Sequence, residues 1–201
     1  MRATIGNLKG GVAKSTSSVY IALVLAAQGG RVLLVDADST NRSCLKWSSL
    51  ASDWPASVTV VSWEVPDLAR RVRAIEADYN HVVIDTGPHR SKILAQALTV
   101  TDDLIVPVTP SPSELEQLED TFTLAAEVDA HSPVFAQVML AKVRRGTRSS
   151  TAAREWLVEH DLPVMTAETH LLESYPLTWG AIPDDLSEYE AVVKELEAAA
   201  E

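Results

Sequence analysis

The strongest constraint on how this chain can fold is a strand, a glycine-bearing loop and a helix set end to end near its start. Ala3–Asn7 is a short apolar run, the loop reads NLKGGVAKST over residues 7–16, and Lys14 to Gln28 carries a helical pattern closed by Gly29-Gly30. Gly10-Gly11 allows the backbone to turn tightly and aim successive amides at oxygens. Lys14 adds a cation and Ser15 a hydroxyl suited to Mg²⁺, at the positive end of a helix. Those parts in that order make a phosphate cradle. The common form of such a loop has a glycine, four free positions and then Gly-Lys-Ser/Thr. Leu8 and Ala13 stand where its two glycines would be. The plainer reading, a Gly-Gly turn ahead of a surface helix, stays open on the loop alone.

Further along, apolar β-branched runs keep alternating with helical patterns. Arg31–Asp36, Val58–Trp63, His81–Asp85, Asp103–Thr109 and Val134–Leu140 read as strands, with a shorter one at Leu162–Met165. Helices are expected over about 66–78, 91–100, 113–129, 148–160 and 186–200. The alternation implies βαβ units: one α/β domain over residues 1–201, with a mostly parallel twisted sheet covered by helices on both faces. Ligands of such sheets sit at the carboxyl ends of the strands.

Composition narrows the function. The net charge is -11, so the molecule is not coated in positive potential, and any contact with nucleic acid must come from a local patch. One cysteine, Cys44, excludes an internal disulfide and a cysteine zinc site and suits a reducing cytosol. No export signal is visible, and the best apolar run, Val19 to Ala27, is about half the ~20 residues of a membrane span. A cytoplasmic location, with no membrane partner, is the expectation.

KGGVAKS, with Lys9 ahead of the glycine pair, resembles the deviant Walker A loop of the ParA/MinD family of ATPases. The resemblance implies a single-domain P-loop NTPase fold with ATP and Mg²⁺ as cofactors. It places Lys9, Gly10, Gly11, Val12, Ala13, Lys14, Ser15 and Thr16 around the nucleotide. It further implies a homodimer on ATP binding, with Lys9 reaching the phosphates of the partner subunit. Lys9 and Lys14 are then catalytic cations, Lys14 within its own subunit and Lys9 in trans, where its charge stabilises the transferring phosphoryl group.

Three more segments extend the likeness over most of the chain. VDADSTNRSCLKW resembles the family's switch, in which Asp36 supports the Mg²⁺ shell and Asp38 is the catalytic residue that orients water. Ser39-Thr40 replaces the family's Pro-Gln, which leaves that backbone less rigid. A solvated turn is the plain alternative for both aspartates. HVVIDTGP resembles a Walker B strand, whose Asp85 would hold Mg²⁺ through water and complete a metal set with Ser15 and Asp36. DDLIVPVTPSPSELE looks like the strand and proline-bearing loop of compact, ParF-like partition members, which lack an N-terminal DNA-binding domain, as this chain is expected to. Trp47 reads as a core or interface aromatic.

Lys142, Arg144, Arg145, Arg148 and Arg154 form the one concentrated basic window, with no acidic residue among them. Family members bind DNA without sequence preference through basic residues of this half, so these five are the candidate DNA surface; a solvated charge run is the alternative. The acidic last helix is unlike a basic membrane-targeting helix, and its Leu186, Val193 and Leu196 suggest packing on the sheet. Histidines 81, 89, 131, 160 and 170 show no metal-ligand spacing.

The reading that follows is a ParA-type ATPase for plasmid or chromosome partition. ATP closes the dimer, the dimer binds nucleoid DNA, and a ParB-like partner stimulates hydrolysis. Two alternatives stay open: a positioning ATPase for a non-DNA cargo, and a metabolic ATP-dependent synthetase on the same fold.

Overall fold

Strands buried on both faces set the layers of the molecule. The structure is a computed structural model that describes residues 1–199. The strands are β1 (Arg2–Ile5), β2 (Val32–Ala37), β3 (Val58–Ser62), β4 (His81–Thr86), β5 (Asp103–Val108) and β6 (Phe135–Leu140). They form one sheet in the order β3-β2-β4-β1-β5-β6, with every pairing parallel. The helices are α1 (Lys14–Ala27), α2 (Ser43–Leu50), α3 (Leu68–Ile75), α4 (Ser91–Leu98), α5 (Pro112–Leu115), α6 (Leu118–Asp129), α7 (Arg148–Glu159), α8 (Ser174–Leu177) and α9 (Ser187–Ala199).

Ala3, Ile5, Val32, Leu34, Val83, Ile105 and Met139 point to one face, where they pack with α1, Cys44 and Trp47 of α2, and Tyr189, Val193 and Leu196 of α9. Leu33, Val35, Val82 and Ile84 point to the other face, against α3 and α4. Leu104, Val106, Val138 and Leu140 continue that face under α4, α6 and α7. Each fully buried Leu, Ile or Val contributes about 1.5–3 kcal/mol, so a sheet covered twice is the stable solution for strands apolar on both sides. The expected α/β architecture is the one observed. No helix of the described residues is long and apolar enough to cross a membrane.

Several boundaries differ from expectation. The helix over 113–129 is two, α5 and α6, which meet where Leu115 and Leu118 both turn into the core. The helix over 66–78 ends at Ile75 and finishes in a tight 3₁₀ turn, Glu76–Asp78. Leu162–Met165 is not a strand. It makes a single parallel bridge, Val138 with Val164, and covers the free edge of β6 through Val138 N–H to Pro163 O, 2.7 Å, and Met165 N–H to Val138 O, 2.9 Å. Pro163 has no N–H of its own to extend that ladder. The helix over 186–200 runs from Ser187 to Ala199, and residue 200 lies outside the described residues. Two helices, α2 and the four-residue α8, were not expected. Helix α2 opens in a polar stretch after Arg42 at φ 49 and is held by burial of Cys44 and Trp47.

Candidate active site

The register of the sheet does the first work. Asp36 at the end of β2 lies opposite Asp85 near the end of β4, and Asp85 lies opposite Ile5 of β1, the strand that feeds the loop. Both carboxylates are fully buried at the carboxyl end of the sheet, directly behind the start of α1. Ser15 Oγ donates to Asp85 Oδ2 at 2.7 Å, Ser18 Oγ donates to Oδ1 at 3.1 Å, and the Cys44 thiol donates to Oδ2 at 3.4 Å. Burial pushes the Asp85 carboxyl up to about 7, against the pull of those bonds. Asp36 is raised as well, chiefly by burial, although it accepts from Leu45 N–H at 3.0 Å and Asp38 N–H at 3.2 Å. Cys44 is pushed well up by burial and by the neighbouring carboxylates, so it stays a thiol.

Lys14 is buried too, at 7% exposure. Its ammonium donates to the carbonyl of Lys9, across the bowl of the loop. Burial lowers its pKa, while Asp85 and Asp38 act to raise it. Gly11 has φ 80 and Ala13 has φ 71. Ala13 is thus in the left-handed conformation that explains why most such loops carry glycine there; a side chain in that conformation costs about 1–2 kcal/mol. The half-buried Lys9 has its N–H held by Asn7 Oδ1 at 2.8 Å, and Asn7 Nδ2 is anchored on Pro107 O at 2.9 Å.

The switch turn is tighter than its missing proline suggests. Asp38 Oδ1 accepts from Thr40 N–H at 3.0 Å and Asn41 N–H at 3.3 Å, and Oδ2 accepts from Asn41 Nδ2 at 2.8 Å. The aspartate's own side chain therefore braces the segment that Pro-Gln would otherwise stiffen. Gly87 makes this possible, since a Cβ there would sit 3.1 Å from Asp38 Cγ.

Ser15, Asp36 and Asp85 are hard oxygen donors gathered at the carboxyl end of the sheet, where burial raises both carboxyls. That donor chemistry suits Mg²⁺. Among the described residues no group of three or more His, Cys, Asp or Glu side chains forms a metal site by itself. Mg²⁺ held mainly by water and phosphate oxygens needs no such cage.

The basic window divides. Lys142, at φ 55 just past β6, donates from Nζ to Gly11 O at 2.7 Å, which brings it to the loop. Arg154 is turned inward, to Met165 O at 2.7 Å and Glu168 at 2.9 Å. Arg144, Arg145 and Arg148 are exposed around the Gly146 turn.

A cavity that periodicity could not reveal opens beside Ala13 and Thr16, with a volume of about 290 Å³. Its far wall is Leu172, Tyr175 and Trp179, and Trp47 of α2 closes its base. Trp47 donates from Nε1 to Ala181 O at 2.7 Å and packs on Trp179 with ring centroids 5.2 Å apart. Only the density of aromatics after Leu171 hinted at such a wall.

A strand–loop–helix cradle with Lys14, Ser15 and strand-end carboxylates on a parallel α/β sheet defines a P-loop nucleotide-binding domain. Residues 2–59 and 56–133 match the family AAA_31, described as an AAA domain. The chain belongs to this family, in its ParA/MinD group. It is 32% identical over 163 residues to the Gloeobacter kilaueensis maintenance of carboxysome distribution protein A, covering 80% of this chain and 72% of that one. It is 28% identical over 166 residues to the sporulation initiation inhibitor protein Soj of Bacillus subtilis, covering 63% and 65%. A Cyanothece McdA–ATP complex shares the fold, with a TM-score of 0.78 at 16% identity over 98% of this chain and 96% of that one.

Proposed function

We propose that the chain is a ParA-type ATPase whose ATP-bound dimer holds DNA without sequence preference and moves a cargo along it. One observation carries the reading. Lys14, Ser15, Asp36, Asp38 and Asp85 come from three separate segments and meet at one loop, on which Lys9 is half-buried. In this reading the amides of Gly10 to Thr16 bind the phosphate chain. The Lys14 ammonium leaves the Lys9 carbonyl for phosphate oxygens. Ser15, Asp36 and Asp85 hold Mg²⁺, which neutralises phosphate charge when bound. Asp38 orients the attacking water, and Lys9 completes the partner's site. The base and ribose occupy the cavity beside Ala13 and Thr16, between the loop and the Leu172–Trp179 wall.

Exposed Arg144, Arg145 and Arg148 make the DNA surface, with hydrolysis stimulated by a ParB-like partner and nucleoid association while ATP is bound. The similarity to carboxysome-distribution proteins favours a second reading of the cargo alone, a non-DNA assembly in place of a plasmid or chromosome. The test is oligomeric state and duplex-DNA binding with ADP against a non-hydrolysable ATP analogue. A dimer that binds DNA only with the analogue is expected. DNA binding independent of nucleotide, or none with either, would overturn the reading.

A further inference from the structure

We propose that Glu188 of α9 is a positioning residue for the nucleoside, holding the cavity wall in the shape that grips the base. The inference rests on the assignment of the cavity to the base. Over residues 166–186 the regular structure is the four-residue α8 and one parallel bridge of His170 to Val143, which holds the backbone of 169–171 beside β6 but leaves the placing of the wall's side chains to what pins them. Three donors converge on this one carboxylate. His170 Nδ1–H donates to Oε1 at 2.7 Å, His170 N–H donates to Oε2 at 3.0 Å, and the Tyr175 hydroxyl donates to Oε2. Both donor residues line the cavity. Among the described residues the other acid paired with His170 is Glu168, 3.6 Å from Nε2 and itself paired with Arg154.

The next residue ties the same helix to the loop. Tyr189 Oη lies 3.0 Å from Ser17 Oγ, which itself donates to Ala13 O at 2.9 Å. Helix α9 thus joins the wall to the helix that carries the phosphate cradle. Without the Glu188 carboxylate, half-buried Tyr175 and His170 lose a shared charged acceptor and the face they turn to the cavity loosens, while Thr178 stays tied to Tyr20 of α1 at 2.9 Å and Ala181 to Trp47 at 2.7 Å. The phosphate cradle keeps all of its own bonds.

The distinction sets the experiment: titration calorimetry with Mg²⁺, using ATP and inorganic tripolyphosphate, a phosphate chain without a base. In Glu188→Ala, ATP affinity is expected to fall roughly tenfold while tripolyphosphate affinity stays within about twofold of the parent. Glu188→Gln keeps the side-chain shape and one acceptor oxygen, and reads the same comparison if the alanine variant does not fold. ATP affinity equal to the parent's, or an equal loss for both ligands, overturns the positioning role. A parent that binds ATP no more tightly than tripolyphosphate overturns instead the base assignment beneath it.

Discussion

Asp85 concentrates the tension of the site. Its carboxyl is buried among Ser15, Ser18 and Cys44 and opposite Asp36, a place that favours a neutral group or a nearby cation. The sign of the pH effect follows. Folding raises this carboxyl from 3.8 to about 7, so the folded molecule retains a proton that the unfolded chain has released. Stability is therefore lost as pH climbs between those values and levels off above the upper one. At about 1.4 kcal/mol per unit the effect reaches roughly 4 kcal/mol at most. Asp85→Asn removes the ionisation, and the serine hydroxyls can turn to accept from its amide. The ligand-free variant is expected to melt above the parent at about pH 8 and level with it at about pH 4. Thermal melts at the two pH values check this, and a gain equal at both would show that ionisation is not its source. Ala13 is the second telling residue: the position departs from the usual glycine and keeps glycine's φ of 71.

Among the elements, the turn from β6 into α7 is where charge is free to act. Lys142 and Arg154 are committed to Gly11 and to Met165 and Glu168, which leaves Arg144, Arg145 and Arg148 facing solvent. Arg145→Glu with Arg148→Glu is expected to weaken duplex binding at least roughly tenfold for every sequence tested, with a shallower salt dependence. ATP affinity should not change, because neither side chain reaches the loop. Fluorescence anisotropy over a salt series checks both points, and parental DNA affinity would move the DNA surface elsewhere. Helix α2 acts differently. Within four residues it places the Cys44 thiol on Asp85, Leu45 N–H on Asp36 and Trp47 under the cavity. Its sequence, SCLKWSSL, is too short and has too weak a start, with no side-chain cap, to be read as a helix from pattern, and it forms because Cys44 and Trp47 are buried by α1 and the sheet.

At the scale of the whole molecule, two copies each of charge -11 must meet for the proposed cycle to run. Screening over about 8 Å at physiological salt mutes that general repulsion, so pairing is decided by local charge at the loop. In the proposed cycle Lys9 is the cation that would meet the partner's phosphates. Lys9→Ala is expected to keep ATP binding through Lys14 and the loop amides, yet to remain monomeric with a non-hydrolysable analogue, as read by light scattering. A variant that dimerises as tightly as the parent would leave Lys9 a solvated loop residue. The parallel sheet, the cradle and the carboxylates at the strand ends were legible in the linear order of residues, because each depends on the chain's own neighbourhood: a period of apolar side chains, a glycine pair, an acid where a buried strand stops. The cavity, the reach of Lys142 to Gly11 and the clasp of Trp47 on Ala181 were not. These contacts join residues 131 and 134 positions apart, from loops and one short helix whose sequences show no periodicity. No local rule brings such segments together. Packing both faces of the sheet does, and the tertiary structure alone decided which side chains would enclose the loop.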